Sequence, residues 1–396
     1  MKVRLDSVCE SIADGDHQAP PKSSDGIPFI TISCLDPDGG KPDFSSAARV
    51  PREYYDSLPS NRRARPNDVL LSVVGSLGIP YLVAVGDEFV FQRHIAILRP
   101  GPDILPEYLY YLLKSPSTYH YIDSVAQGAA QRTFTLAQLR AMEVDIPSIQ
   151  VQRDRVAKLK PYDDVVENNR KQIALLEETA RRLYKEWFVD LHFPGHEDTE
   201  IVDGVPAGWE HAELGEVVFQ SGSAVKKGDR DQFNHYLPID SIPSMAITCW
   251  DSESIEKASS SLVSFTRDDF LFGAMRPYFH KVIVAPYKGL TRSTCLVLAP
   301  LDECYWAYSY MLLFAGDCVR YATAISVGTT MPYVRWDDFR HMPVILPTKN
   351  IANKFAILFK PLRDEVELLA KQNASLSDVR NRLLPKLMSG EIEVSA

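Results

Sequence analysis

Apolar positions along the chain follow two rhythms, and each rhythm occurs twice. Up to Pro147, and again from about Trp209 to Pro347, short apolar or alternating runs are broken by Gly and Pro, as at residues 27–32, 69–74, 81–85 and 95–98. Runs of that length between turn residues predict the strands of a mixed domain. After Pro147 and after Pro347, Gly disappears until Gly195 and Gly390, and apolar residues recur at alternating steps of three and four. The first such row is Val166, Asn169, Ile173, Leu176, Ala180, Leu183 and Trp187; the second is Val366, Leu369, Asn373, Leu376, Val379, Leu383 and Leu387. This is the spacing of a coiled-coil seam. One such helix alone would read as ordinary packing inside a domain. Two at matching places predict a pair that buries its seams together, antiparallel, because the domain between them lets the chain turn back.

The match between halves extends well beyond the helices. Gly128 and Gly328, Pro147 and Pro347, and Pro161 and Pro361 stand 200 residues apart, and Tyr108, Tyr110, Leu112 and Leu113 meet Tyr308, Tyr310, Leu312 and Leu313 at the same offset. Nearer the start of each half the offset drifts, from 209 for Leu5 and Leu214 to 201 for Asp68 and Asp269, which places insertions or deletions in loops there. Collinear landmarks over this length indicate a duplicated unit. The expected fold class is α+β: two pseudo-symmetric globular domains separated by two long helices packed as an antiparallel coiled coil. The boundaries are a first domain at 1–147, a central helix at 148–190, a linker at 191–208, a second domain at 209–347 and a C-terminal helix at 348–396. The residues expected to pack the helices together are Val166, Ile173, Leu176, Leu183, Trp187, Val366, Leu369, Leu376, Leu383 and Leu387. Pro161 and Pro361 kink their helices or begin the straight part of them. Asn169 and Asn373 either fix the register of the pair or face solvent.

Composition narrows the function. A chain of 396 residues with 45% hydrophobic content can bury two ordinary cores. Its 43 Lys and Arg against 52 Asp and Glu exclude a basic, nonspecific nucleic-acid coat but not a local basic face. The six cysteines stand singly, with no Cys-x-x-Cys pair, and read as small buried residues of a reducing compartment. With no signal-like or membrane-length apolar run, the expected location is cytoplasmic, away from membranes. Catalytic motifs are missing: no Gly-x-x-x-x-Gly-Lys, no Gly-x-Gly-x-x-Gly opening a helix, no His-Glu-x-x-His, and no Asn-Pro-Pro or Asp-Pro-Pro followed by an aromatic.

The join between halves reads Leu183-Tyr184-Lys185-Glu186-Trp187-Phe188-Val189-Asp190, then Phe193-Pro194-Gly195-His196, Val205-Pro206 and Gly208-Trp209; the chain closes with Leu383-Leu384-Pro385-Lys386-Leu387-Met388-Ser389-Gly390-Glu391-Ile392. With Leu271-Phe272-Gly273-Ala274-Met275-Arg276-Pro277-Tyr278-Phe279-His280-Lys281 and Gly328-Thr329-Thr330-Met331-Pro332, these segments resemble the specificity subunit of type I restriction-modification systems over essentially the whole chain. In the first domain Gly128-Ala129-Ala130-Gln131-Arg132 departs from the hydroxyl-bearing form of that last loop. The resemblance implies a non-catalytic subunit whose two target-recognition domains each read one half of a split, asymmetric double-stranded DNA site. It implies helices that set the spacer and dock two methyltransferase subunits, with restriction and translocase subunits completing the complex. S-adenosylmethionine, ATP and Mg are expected on those partners and none in this chain.

Elementary geometry fits that role. A rod of about 26 residues at about 1.5 Å rise spans about 39 Å, close to the roughly 34–36 Å of a DNA turn. Base edges call for paired donors and acceptors, and phosphates for positive or small donor groups. The candidates are Ser72, Arg93, Gln131, Arg132 and Thr133 in the first domain, and Arg276, Tyr278, Lys281, Thr329, Thr330 and Arg335 in the second. Gly75, Gly78 and Gly273 are expected in turns, permitting close backbone approach. Arg62, Arg63 and Arg65 form a basic run that meets phosphate or is simply a solvated loop. His94 and His280 lie near the expected DNA face with structural or DNA-contacting roles. The alternative to a DNA reader is a non-catalytic helical scaffold without DNA readout, which leaves two aromatic-rich, Gly-punctuated domains unexplained.

Overall fold

The computed structural model describes residues 2–15, 17–128, 131–259 and 261–392. It divides into two compact units, Met1–Asp164 with Ser377–Ala396, and Val165–Leu376. Two long helices, Ile149–Tyr184 and Lys349–Ser389, each contribute one end to each unit. Both begin well ahead of Pro161 and Pro361 and continue through them.

In the first unit the main sheet is antiparallel, in the order Cys9–Asp14, Ile95–Pro100, Val69–Ser72, Pro80–Leu82. Its middle strand Val69–Ser72 is buried along its whole length, which explains why its sequence is continuously apolar rather than alternating. A smaller sheet joins Ala48–Val50, Ile27–Ile30 and Val90–Phe91, the last pair parallel. Lys2–Arg4 pairs with Glu143–Asp145, tying the start of the chain to the strand that precedes the central helix. The helices Pro106–Lys114 and Pro116–Val125 bury Tyr108, Leu109, Leu113 and Ile122 in the same core as Leu159, Leu384 and Leu387 of the two long helices. Those helix ends run antiparallel: Arg155 donates to the Met388 carbonyl at 3.1 Å, and Arg380 donates to Asp163.

The second unit repeats the plan. Its main sheet runs Val218–Gln220, Cys295–Pro300, Phe270–Gly273, Val282–Val284, again antiparallel and again with a fully buried middle strand. Glu210–Glu213 pairs with Pro343–Leu346, as Lys2–Arg4 does with Glu143–Asp145. The smaller sheet differs, joining Ser223–Val225, Leu262–Phe265 and Gly289–Arg292 with every pair antiparallel. Helices Trp306–Phe314 and Gly316–Ala324 cover the main sheet. The central helix ends in a wider π turn, Lys185–Val189, which seats Trp187 and Phe188 against Phe355, while Phe193 and Trp209 of the linker pack on the same cluster.

The seam follows the expected rows with one correction. Val166, Trp187, Val366, Leu369 and Leu387 are buried, and Ile173, Leu176, Leu183, Leu376 and Leu383 are partly buried. Val379, however, is 40% exposed, and the row passes through Arg380 and Leu384, at 3% and 2%. A straight helix of 3.6 residues per turn drifts from a strict 3.5 repeat, so a longer row slips by one position. Asn169 is buried and donates to Asn373 Oδ1 and Gln372 Oε1, both at 2.9 Å, so this pair is an inward register contact rather than a solvent-facing one.

Candidate nucleic-acid interface

At the end of the middle strand of the first unit, the chain makes a loop from Ser72 to Ile79, closed by Ser72 N–H to the Ile79 carbonyl (3.0 Å) and Gly78 N–H to the Ser72 carbonyl (2.9 Å). Two further segments are stitched onto it. Val73 N–H donates to the His94 carbonyl at 2.9 Å, Gly75 N–H to the Arg132 carbonyl at 2.9 Å, and Phe134 N–H to the Val73 carbonyl at 2.8 Å. The loop 127–133 is clasped by reciprocal Gln127–Thr133 bonds of 2.9 and 2.7 Å. At Gly128, φ is +106° and a Cβ would lie 2.4 Å from the Gln131 carbonyl oxygen, so this position requires glycine.

The second unit uses the same stitches with other side chains. Ala274 N–H donates to the Thr294 carbonyl (2.9 Å), Arg276 N–H to Pro332 (2.7 Å) and Val334 N–H to Ala274 (3.0 Å), and Val327 and Tyr333 clasp each other at 2.9 and 3.0 Å. The loop is one residue longer, closed by Gly273 N–H to the Lys281 carbonyl at 2.7 Å. Where Gly75 and Gly78 take φ of +74° and +79°, Arg276 and His280 take +51° each. The second loop therefore holds two side chains in the left-handed region, at a cost of about 1–2 kcal/mol per residue.

These loops gather most of the sequence-derived candidates. Arg93 and Gln131 are exposed, and Thr133 is part of the backbone clasp. Arg132 is already engaged, donating to the Asp123 carboxylate and carbonyl. Ala129 and Ala130 lie outside the described residues. In the second unit Thr329, Thr330 and Arg335 are exposed and Tyr278 is 51% exposed beside Phe279 at 47%, the two rings 4.8 Å apart. Arg276 donates to the Thr330 carbonyl at 3.3 Å and its Nε is buried without a partner. Lys281 is half-buried, its ammonium donating to the Ile239 and Asp240 carbonyls at 2.7 and 3.2 Å, and burial pushes its pKa down.

Two expectations change. Ser72 is not a DNA contact: it is completely buried and its Oγ accepts from Ile79 N–H at 2.8 Å, a loop-closing role. Gly273 is not in a turn but at the end of a strand, where a Cβ would press at 3.1 Å on Lys281. Within the basic run, Arg62 lies beside Asp14 at 3.6 Å and Arg63 over the Tyr55 ring, while Arg65 is exposed. His280 bonds the Phe314 carbonyl at 2.8 Å, and burial lowers its pKa; His94 is lowered by burial and by Arg93. Both fit structural roles. Sequence reasoning missed Arg292, Phe279, Met331 and Gln127, all exposed on or beside these loops. Phe279, Met331 and Gln127 sit within a few residues of chosen candidates, and Arg292 lies 200 residues from Gln92, the neighbour of Arg93, so the repeat was the available signal for it.

Two loop clusters held by the same cross-loop backbone bonds but carrying different side chains and loop lengths suit the reading of two different sequences. Residues 1–178 and 206–378 match the family model described as "Type I restriction modification DNA specificity domain". The chain belongs to that family. It is 27% identical over 335 residues to the type I restriction enzyme MjaIX specificity subunit of Methanocaldococcus jannaschii, covering 80% of this chain and 76% of that one. Against the HindI specificity subunit of Haemophilus influenzae, identity is 22% over 412 residues, covering 84% and 88%. The solved S subunit from M. genitalium shares the fold, with a TM-score of 0.58 at 17% identity, covering 98% of this chain and 95% of that one. As a type I specificity subunit the chain confers DNA sequence specificity and is not itself catalytic. Among the described residues no helix is long and apolar enough to cross a membrane.

Proposed function

We propose that each loop cluster reads one half of a bipartite, asymmetric DNA site, the first through Arg93, Gln131, Arg132 and Thr133, the second through Arg276, Tyr278, Lys281, Thr329, Thr330 and Arg335. The observation that carries this is the shared stitching of the three loops in each unit, with the side chains free to differ: glycine at 75 against arginine at 276, and a small loop against the exposed Tyr278–Phe279 pair. Arg side chains suit guanine edges and phosphates, Gln suits adenine, and exposed aromatics offer an apolar surface to bases. In this reading the paired helices set the distance between half-sites and dock two methyltransferase subunits in the cytoplasm. Restriction and translocase subunits join that core, and S-adenosylmethionine, ATP and Mg are held by these partners.

Selection of the chain, together with its methyltransferase, from a random duplex library tests the reading. A split consensus with a fixed gap is the expected result; failure to enrich any split sequence leaves a helical scaffold as the function. Adding about one turn to both helices should widen the unread gap by roughly one or two base pairs, from about 5.4 Å per turn against about 3.4 Å per pair, without altering either half-site.

A further inference from the structure

An apolar ridge stands on the second loop cluster. Met245, Tyr278, Phe279, Val327 and Met331 are each between 47% and 59% exposed, and of the five only Tyr278 carries a strong hydrogen-bonding group. They come from three segments that are tied to one another. Ser244 Oγ donates to the Phe279 carbonyl at 2.7 Å, and Met245 N–H to the His280 carbonyl at 2.9 Å. Toward the other segment, Arg276 N–H donates to the Pro332 carbonyl at 2.7 Å and its guanidinium to the Thr330 carbonyl at 3.3 Å. The turn that bears the two rings is also pinned at its base: Pro277 is buried, and His280 Nε2 donates to the Phe314 carbonyl at 2.8 Å. Met245, Arg276 and His280 all take φ between +51° and +56°, a region that side-chain-bearing residues hold only where the surrounding structure enforces it. Among the described residues the first unit has no counterpart on its loop. Ser76 is exposed there, Leu77 is partly buried against that unit's core, and Tyr119, the exposed ring beside Gly78, belongs to a helix.

We propose that Phe279, with Tyr278 beside it, is a wedge that enters the base stack at one step of the half-site read by the second unit, unstacking and kinking the duplex there, while the first unit reads its half-site without such insertion. The proposal rests on the reading of these loops as the DNA-binding face. Reading a base edge by hydrogen bonds takes a donor or an acceptor, and Phe279 has neither. Contact with a thymine methyl takes one apolar side chain, not a braced ridge of five. Opening a base step takes what is present: apolar side chains that project from the surface and replace the stacking they break. A wedge must also hold its position against the stack it opens, and the ties at both ends of the turn supply that stiffness. Thr329, Thr330 and Arg335, exposed on the neighbouring segment, are donors for the phosphates on either side of the kink. The consequence for specificity is a position read without edge contacts. Pyrimidine–purine steps unstack with least resistance, so the second half-site contains or adjoins one, selected by its flexibility.

The test binds the chain with its methyltransferase to the duplex selected from the library, and to copies in which single nucleotides of both half-sites are replaced in turn by an abasic residue. Loss of a base at the wedged step removes the unstacking cost, so affinity there is expected to rise by about tenfold or more. A methyltransferase that extrudes its target base gives a gain of its own at that base. The variant Tyr278→Ser with Phe279→Ser separates the two: the gain at the wedged step, present in one half-site only, disappears, and the gain at the extruded base stays. Phe279→Leu, which keeps an apolar side chain at the tip, retains both. A scan with no gain that the serine variant abolishes overturns the wedge and leaves the half-site reading intact. Binding that is indifferent to Arg276→Ala with Arg335→Ala overturns that reading and the wedge with it. Two further results overturn the wedge alone. One is a loss of affinity in the serine variant that deoxyuridine in place of a single thymine reproduces, which makes the tip a reader of one methyl group. The other is a weakened hold of the serine variant on the methyltransferase without DNA, which makes the ridge a protein contact.

Discussion

Where the long helices meet the sheets, the two units solve one packing problem with different chemistry. The first unit uses aliphatic Leu159, Leu384 and Leu387, with a charged cluster of Asp163, Arg380, Lys114 and Tyr111 beside them. The second uses a layer of rings, Tyr184, Trp187, Phe188, Phe355 and Phe359, and turns the buried cation Arg363 to Asp268 and Glu367. Backbone stitching in the loop clusters stayed the same while these interiors diverged. The difference teaches that hydrogen bonds between main-chain groups preserve a duplicated fold, whereas side chains are free to specialise as long as each core fills its own volume.

Core truncation should split the two units most sharply. Phe359→Ala is expected to cost about 3–5 kcal/mol and Leu384→Ala about 2–5 kcal/mol, each in its own unit. All five tryptophans, at positions 187, 209, 250, 306 and 336, lie in the second unit. Tryptophan emission during urea unfolding should therefore shift with Phe359→Ala, while Leu384→Ala should show mainly as faster amide exchange in residues 69–113. A common shift in both signals for both variants would mean that the units unfold as one.

Ser72→Ala removes the acceptor for Ile79 N–H in the first loop only, since the equated residue is Gly273. The expected loss is about 1–3 kcal/mol, with DNA affinity at the same protein concentration unchanged; a gel shift that weakens while the loop stays protected from exchange would restore Ser72 as a contact. Backbone strain gives a smaller contrast. Gly75→Ala should destabilise the first unit by about 1–2 kcal/mol, while Arg276→Gly should stabilise the second by about 0.5–1 kcal/mol and weaken DNA binding. Thermal melts of both variants, with and without DNA, decide the sign.

The smallest expected effects are opposite pH trends. Glu177 in the second unit accepts from Ile247 N–H at 2.7 Å, and its burial raises its pKa above the ordinary value of 4.5. The folded state then holds the proton longer than the unfolded chain, so this group's contribution falls as pH rises past 4.5 and is fully lost above the folded value. Lys114 in the first unit, donating to Tyr110 Oη at 2.7 Å, is pushed down by burial to about 8 from 10.5. There the unfolded chain binds the proton more tightly, so stability rises with pH between about 8 and 10.5. Glu177→Gln should flatten the first trend and Lys114→Met the second in unfolding curves across pH.

Pattern made the repeat, the main strands and the helix rows legible, because burial on one face or both leaves a period in the sequence. What stayed hidden depended on contacts distant along the chain. Nothing beside Val379 says that Arg380 finds Asp163, 217 residues away, and an arginine in a seam reads as a break rather than a member. Ser72 looked available because a hydroxyl at a strand end suits a groove; only the loop that closes over it shows that the hydroxyl is spent on Ile79. Of the loop-cluster residues, types were readable but engagement was not: Arg132 carries its own counter-ion, Asp123, nine positions back.

Leu384 and Leu387 are core residues of a unit whose strands all lie before position 146. On the ribosome, therefore, the portion made first waits for the portion made last, and its hydrophobic interior stays unsealed while some two hundred intervening residues emerge. A stop codon just after Leu376 would leave the later-made unit its own residues and harm the earlier-made one.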